Sequence, residues 1–267
     1  LTLSSRYLRV IASDRYYLGL LAAIPVLIGL ICYATAGDFG LGLGVPGVNG
    51  ELVNPSARSN LMILILGTVF IGLSTSIQEI IKEDPIRLRE KSVGIRSGTY
   101  LMSKVLVLGI ATSIQSIIFA SILLFNRPVP AKGLFIGSSY LEILFLTVLL
   151  GFASMCLGLL VSSVLSSPEQ AMPILVGLTM AQVVLSGALP GKNEGIIDLI
   201  SPLVPSYWSM NSFAASVNLV EISKVSDKDL LIQWEAVVGT LTQGSFVTLG
   251  MSVISLLVCY LVLIKKR

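Results

Sequence analysis

A dense group of ionisable side chains between residues 79 and 104 is the part of this sequence best suited to polar chemistry. The chain holds 18 Lys and Arg and 15 Asp and Glu residues, and ten of them lie in this one segment, between two long apolar runs. Charges of both signs at such density are suited to docking on another protein. A solvated loop held by local pairs four residues apart is the alternative. The ten residues are Glu79, Lys82, Glu83, Asp84, Arg87, Arg89, Glu90, Lys91, Arg96 and Lys104.

No side-chain set for catalysis accompanies this segment. The chain lacks His, the commonest metal ligand and general base, and it shows no nucleophile elbow or zinc-ligand spacing. The nearest approach to a phosphate-binding Walker A sequence runs from Gly187 to Lys192, but it has three residues between its glycines and no Ser or Thr after the lysine. We therefore expect no enzyme activity from this chain alone, and no catalytic residue, metal or cofactor in it.

The composition predicts an all-α integral membrane protein with six transmembrane helices. Hydrophobic residues make up 54% and charged residues 12%, whereas soluble domains are about one-quarter charged. A run of roughly 20 apolar residues crosses the hydrocarbon core as a helix. Six runs qualify, with no charge except Glu142 at one rim, and they lack the polar face that a soluble helical core needs. They are Tyr17–Ala36, Asn60–Gln78, Val105–Phe125, Leu141–Val161, Pro173–Pro190 and Ser245–Ile264.

The distribution of cations predicts the orientation. Three cations near the amino terminus, six in the 79–104 segment and three at the carboxyl terminus fall on one side, and six fall on the other. Lys and Arg favour the cytoplasmic side, so both termini and the charged segment are predicted to be cytoplasmic. The formal charge of +3 reflects this bias, and no basic stripe indicates a nucleic-acid partner.

Three segments outside the spans have distinct patterns. Residues 1–15 read as an amphipathic helix at the membrane interface. Residues 37–56, rich in Gly and Pro, are predicted to lack regular structure. Residues 191–244 form the long external loop, whose first part is too interrupted to span and is predicted to be a half-inserted, re-entrant hairpin. Its marker residues are Pro202, Pro205, Tyr207 and Trp208.

Small and polar residues inside the spans allow two interpretations. Gly151, Ser154, Gly158 and Ser162 recur at three- and four-residue spacing, which favours close helix packing in lipid. The polar residues of spans two and five, and Gln115 in span three, suit either interhelix hydrogen bonds or contacts to a ligand. No carboxylate lies in mid-span, which counts against a proton-coupled pump. The polar residues of spans two and five are Thr68, Ser74, Thr179, Gln182 and Ser186.

Three stretches carry a family resemblance that covers nearly the whole chain. The charged loop E-D-P-I-R-L-R-E-K-S-V-G-I-R-S-G-T-Y-L-M-S-K, L-S-G-A-L at 185–189 and S-P-L-V-P-S-Y-W at 201–208 resemble type-2 ABC transporter membrane domains of the G-subfamily kind. Bacterial half-transporters with FHA and ATPase domains ahead of the membrane domain are the most similar. The resemblance implies a single permease domain over 1–267. The chain starts at Leu1 without Met, and we expect it to be a piece of a longer polypeptide or a trimmed chain.

The resemblance also implies residue roles. Residues 1–15 become the connecting helix, and 79–101 the coupling-helix loop, with its helix at Ile80–Ser92. Spans two and five of two copies would form a central cavity beneath an apolar plug, where Ala188 stands in place of a frequent leucine. The implied coupling residues are Glu79, Lys82, Glu83, Asp84, Arg87, Arg89, Glu90 and Lys91. The implied cavity and plug residues are Thr68, Thr179, Gln182, Ser186, Ala188 and Leu189.

The function implied is the membrane half of an ATP-driven exporter in the plasma membrane. ATP and Mg would bind a partner ATP-binding domain, in the same polypeptide or on a separate chain. The second half is a further copy or a related chain. Few polar groups line the spans, so an amphiphilic or lipid-linked substrate is expected. An ion-coupled carrier or channel, and a non-transporting membrane anchor, are the alternatives.

Overall fold

Helices account for most of the chain in this computed structural model, which describes residues 15–42, 45–46, 52–54, 56–84, 97–189, 196–223, 234 and 237–265. Short 3-10 turns precede α6 and α8. In chain order the elements are α1 (Arg15–Thr35), β1 (Val45–Pro46), β2 (Leu52–Val53), α2 (Ala57–Ser76), α3 (Glu79–Lys82), α4 (Ser97–Leu123), α5 (Ser139–Val164), α6 (Ala171–Leu185), α7 (Ile196–Ile200), α8 (Pro205–Val217), α9 (Leu219–Ser223) and α10 (Val238–Lys265).

Within the described residues, four helical segments are long and apolar enough to cross a membrane. They are Ala57–Lys82, Ser97–Leu123, Ser139–Val164 and Val238–Lys265. Two of the six predicted spans correspond to shorter apolar helices, namely Leu21–Thr35 within α1 and the 15-residue α6. The protein is thus a multi-pass, helical membrane protein, and the count of six spans stays a prediction. The predicted connecting helix at 1–15 lies outside the described residues, apart from Arg15.

Helix α2 lies at the centre of the bundle and packs closely against α5. An added Cβ at Gly72 would lie 2.5 Å from the Gly151 carbonyl oxygen and 2.7 Å from Ser154 Cβ. One at Gly158 would lie 2.0 Å from Ser76 Oγ. The predicted packing role of the small residues on α5 is therefore confirmed, because their lack of bulk lets the two backbones touch.

Helix α1 contains a proline whose missing hydrogen bond is supplied by α4. Pro25 has no N–H, so the Leu21 carbonyl four residues earlier has no helical donor. Gln115 Nε2 of α4 donates to that carbonyl at 2.7 Å. Of the two interpretations of Gln115, the structure shows the interhelix hydrogen bond.

The end of α1 on the predicted external side, called outer below, is capped by a cation from the loop after α4. The Arg127 guanidinium donates to the carbonyls of Tyr33 and Gly37 and lies 4.5 Å from the Tyr33 ring centroid. Asn60 Oδ1 accepts from Gly37 N at 3.0 Å. A cation is favourable here because the last carbonyls of a helix carry partial negative charge.

The prediction that residues 37–56 lack regular structure was wrong in part. β1 and β2 form a short antiparallel pair with Val45 opposite Val53. The buried Asn54 side chain donates to Gly40 O at 3.2 Å and Gly42 O at 2.8 Å. The Asn54 amide thus donates hydrogen bonds to the turn at Gly40–Gly42. The Gly and Pro content of the loop does not predict this contact.

The segment between α6 and α10 holds the short helices α7, α8 and α9. Helix α8 is buried along nearly its whole length and packs against α2, α5, α6 and α10. Its 13 residues are too few to span the hydrocarbon core. A short buried helix fits the predicted re-entrant hairpin, whose depth in the membrane stays a prediction.

The α2–α5 contact predicts a size limit at Gly72. Gly72→Ala is expected to destabilise the protein by about 1–3 kcal/mol, because the added methyl meets backbone atoms that cannot move aside. Gly250→Ala on exposed α10, where an added Cβ meets nothing within 4 Å, is the matched control. Thermal unfolding in detergent measures both, and equal melting temperatures would contradict the packing assignment.

The α1–α4 hydrogen bond predicts a coupled pair of substitutions. Gln115→Met leaves the Leu21 carbonyl without a donor and is expected to cost about 1–3 kcal/mol. Pro25→Ala restores the helical N–H, so Gln115→Met should cost little in that background. A double-mutant cycle of unfolding free energies measures the coupling, and additive effects would refute it.

Candidate functional site

The ends of α2, α3 and α4 on the predicted cytoplasmic side, called inner below, carry a partly buried cluster of charges, called here the ionic cluster. It consists of Glu79, Glu83, Tyr100 and Lys104. Lys104 Nζ lies 3.0 Å from Glu79 Oε2 and 2.8 Å from Glu83 Oε1, and the Tyr100 hydroxyl donates to Glu83 Oε2 at 3.1 Å. The Lys104 side chain is only 2% exposed.

Helix geometry explains how these four side chains meet. Glu79 and Glu83 are four residues apart at the inner end of the α2–α3 segment, and Tyr100 and Lys104 are four apart in the first turns of α4. Residues at this spacing lie on one face of a helix, so the two pairs face each other. A buried ammonium is stable only when it is paired and hydrogen-bonded. The cluster therefore fixes the start of α4 against α3.

A second contact fixes α3 to α5. Ser162 Oγ accepts from Ile80 N at 3.0 Å and from Ile81 N at 3.1 Å. The first N–H groups of a helix have no partner within the helix, and this hydroxyl satisfies two of them. Ile80 and Ile81 are also buried. Helix α3 is therefore attached to both α4 and α5.

The predicted coupling residues separate into three groups. Glu79 and Glu83 pair with Lys104 within the chain, and their implied coupling role stays a prediction. Lys82 is exposed and Asp84 is half-buried. Arg87, Arg89, Glu90 and Lys91 lie outside the described residues.

The hydroxyls predicted to line a cavity are satisfied within their own helices. Thr68 Oγ1 donates to Leu64 O and Thr179 Oγ1 to Leu175 O, at 2.7 and 2.8 Å. Ser74 and Ser186 likewise donate to carbonyls three residues earlier. These groups need no ligand to satisfy their hydrogen bonds in the single chain.

Gln182 of α6 connects to α8 instead of to open space. Its Oε1 accepts from Ser206 N at 3.3 Å, and its backbone carbonyl accepts from Ser206 Oγ at 2.6 Å. The uncovered face of α6 is apolar, with exposed side chains at four-residue steps. These are Met172, Val176, Met180 and Val184.

The outer end of α6 is held by an arginine from α2, an arrangement called here the outer clamp. Arg58 Nε donates to Ala188 O at 3.0 Å, and Nη2 donates to Gly187 O at 2.9 Å and also to Leu189 O. The guanidinium carbon lies 5.0 Å from the Trp234 ring centroid. Gly187 has a φ of +76°, which a glycine adopts without strain. The clamp thus joins the two predicted plug residues to α2.

The four predicted residues of the external segment lie around the start of α8. Trp208 Nε1 donates to Pro202 O at 2.9 Å, and the Tyr207 and Trp208 rings meet edge to face with centroids 5.5 Å apart. Pro205 is the first residue of α8 and is buried. Pro is suited to that position because the first N–H of a helix has no partner.

Sequence reasoning missed Lys104, Tyr100, Ser162, Arg58 and Trp234 as connecting residues. The four-residue spacing of Glu79 with Glu83, and of Tyr100 with Lys104, was a usable signal for the ionic cluster. No comparable signal exists for Arg58, because its partners are backbone carbonyls far along the chain.

The ionic cluster predicts that Lys104 is required for stability. Lys104→Met leaves two carboxylates facing each other and is expected to cost about 1–3 kcal/mol, because those carboxylates are only partly buried. The triple variant Lys104→Met, Glu79→Gln, Glu83→Gln should recover most of that loss. Lys132→Met, at an exposed outer lysine, is the control. Unfolding free energies in detergent decide, and a Lys104→Met cost equal to that of Lys132→Met would contradict the assignment.

Comparisons with known proteins agree with this architecture. A family model described as ABC-2 type transporter matches residues 1–217. The chain is also 34% identical over 223 residues to the ABC transporter ATP-binding/permease protein Rv1747 of Mycobacterium tuberculosis (strain ATCC 25618 / H37Rv), over 83% of this chain and 25% of that protein. The chain therefore spans about a quarter of that relative's length. The relative carries both parts in one polypeptide, as its name states. This chain belongs to the ABC-2 type transporter family, as a membrane domain of the kind that works with an ATP-binding domain.

Proposed function

We propose that this chain is the membrane half of an ATP-driven exporter that moves an amphiphilic or lipid-linked substrate outward across the plasma membrane. Two such halves pair, and ATP with Mg binds the associated ATP-binding domains, either fused to this chain or separate. The observation that carries the proposal is the attachment of α3 to α4 through Lys104 and to α5 through Ser162. An ATP-binding domain that docks on the loop following α3 can then move three helices together.

The ion pairs of the ionic cluster change the net charge of the predicted coupling residues that remain for contact with a partner. With Glu79 and Glu83 bound inward by Lys104, the remaining predicted coupling residues are mostly basic. A basic face favours an acidic receiving surface, because complementary charge steers association and fixes register. The remaining residues are Lys82, Asp84, Arg87, Arg89, Glu90 and Lys91.

Two features support an amphiphilic substrate. The hydroxyls of Thr68, Thr179 and Ser186 donate to carbonyls of their own helical turns, so these hydrogen-bond donors are already engaged and are not available to a sugar. A polar substrate in a dry site without partners loses its hydration at high cost. The exposed face of α6 is apolar, which suits both pairing with a second copy and contact with acyl chains.

The predicted orientation gains support from the roles of two cations. Arg58 and Arg127 both count toward the less basic side, and each binds the carbonyl end of a helix. Helix capping explains why these two arginines lie where they do. Without them, the remaining Lys and Arg residues are biased more strongly toward the side that holds the 79–104 segment. We assign that side, with both termini, to the cytoplasm.

The coupling role predicts that reversing charges in the docking loop uncouples transport. The variant Arg87→Glu, Arg89→Glu, Glu90→Lys in the complete transporter is expected to reduce substrate-stimulated ATP hydrolysis and export about tenfold or more, since charge-assisted contacts are worth about 1.5–3 kcal/mol each. ATP hydrolysis and outward movement of a fluorescent phospholipid in proteoliposomes are measured together.

The control for this experiment is Lys132→Glu, an exposed lysine on the outer side, which should leave both rates unchanged. Unaltered hydrolysis and export in the triple variant would refute coupling through the loop. Movement of the phospholipid without ATP would favour a carrier or channel. A transporter that binds its ATP-binding domain but never changes the hydrolysis rate with substrate would favour a membrane anchor.

A further inference from the structure

We propose that Arg58 is a positioning residue that holds the outer side of the transport path closed. In this view its guanidinium fixes the turn at Gly187–Leu189 against α2 and releases that turn when the outer side opens. The inference rests on the proposed function, because it requires a protein that alternates between two states.

The outer clamp is built for one guanidinium. Three successive carbonyls, those of Gly187, Ala188 and Leu189, accept from Nε and Nη2 of Arg58. A guanidinium offers five N–H donors in a fixed plane, whereas a lysine ammonium acts as a point charge on a flexible stem. The Ala188 backbone N–H is meanwhile bound by Ser186 Oγ, and Ala188 itself is buried. The turn is thus held in one conformation by contacts on both sides of its backbone.

Arg58 is poorly placed for the stability of its own helix. It is the second residue of α2, where the positive end of the helix dipole disfavours a cation. The first turn of α2 contains no acidic residue to offset it. Its contacts with the α6 turn therefore account better for an arginine at this position than does the local stability of α2.

Trp234 makes the clamp observable. The ring faces the Arg58 guanidinium, is 2% exposed, and donates from Nε1 to Asn211 Oδ1 of α8 at 3.0 Å. The clamp consequently brings the start of α2, the turn after α6 and the middle of α8 close to one aromatic ring. Release of Arg58 would remove a cation from the face of that ring.

Helix α2 provides the mechanical link from the inner side. Its 20 residues extend about 30 Å at 1.5 Å per residue, from Arg58 at the outer end to the ionic cluster near the inner end. A displacement of α3 is passed to Arg58 because α2 is buried and packed on α5 over much of this length. The state of the ATP-binding domain can therefore change the clamp without any contact to it.

The test uses the complete transporter in lipid nanodiscs with 5-fluorotryptophan incorporated. The fluorine resonance of Trp234 is assigned by its loss in Trp234→Phe. In the wild type it should shift when ATP and vanadate trap the other state. In Arg58→Met it should lie at the shifted position with or without nucleotide, and in Arg58→Lys between the two. Arg127→Met removes the arginine that caps α1 instead, and should leave the resonance at its wild-type positions.

Two outcomes overturn the proposal. The first is a wild-type Trp234 resonance whose position does not change with nucleotide while ATP is hydrolysed. The second is an Arg58→Met resonance that stays at the position seen in the nucleotide-free wild type. If Arg58→Met does not fold, the wild type and Arg58→Lys decide. Failure of the proposed function can be told apart from failure of the clamp. In that case charge reversal at Arg87, Arg89 and Glu90 leaves the rates of ATP hydrolysis and export unchanged. A normal response to that reversal with a stationary Trp234 resonance overturns the clamp alone.

Discussion

A polar group buried in a lipid-embedded bundle must find its partner within the protein, because no water is available in the hydrocarbon core. Two contacts between helices follow from this constraint. The Leu21 carbonyl, left open by Pro25, takes its donor from Gln115 on α4. Lys104 of α4 is paired with Glu79 of α3 and with Glu83, which follows α3. Each contact joins two helices at a position where one of them alone would carry an unsatisfied group.

These contacts attach α2 to its neighbours at both ends and in the middle. Its inner end continues into α3, which Ser162 binds to α5. Its middle lies against α5 where Gly72 meets the Gly151 backbone, and at its outer end Arg58 holds the α6 turn. Helices packed this closely slide or pivot as units more readily than they deform. A mechanism for this chain therefore concerns which ends of α2 stay attached.

The helices and their packing were largely predictable, because apolar runs and small-residue spacing are local patterns. The start of α4 was not. Lys104 ends the apolar run in sequence, yet the helix begins at Ser97, since pairing with Glu79 and Glu83 lets the lysine be buried. The same pairing gives Glu79 and Glu83 a partner within the chain. A charged residue looks identical in sequence whether it is solvated or paired, and a guanidinium bound to distant carbonyls leaves no pattern at all.

Different groups attach α2 near its two ends. Near the inner end the Lys104 ammonium meets two carboxylates. At the outer end the Arg58 guanidinium donates to three backbone carbonyls and lies over the Trp234 ring. Carbonyls near a membrane surface can exchange a protein donor for water. The release of Arg58 proposed above therefore leaves carbonyls that water can satisfy.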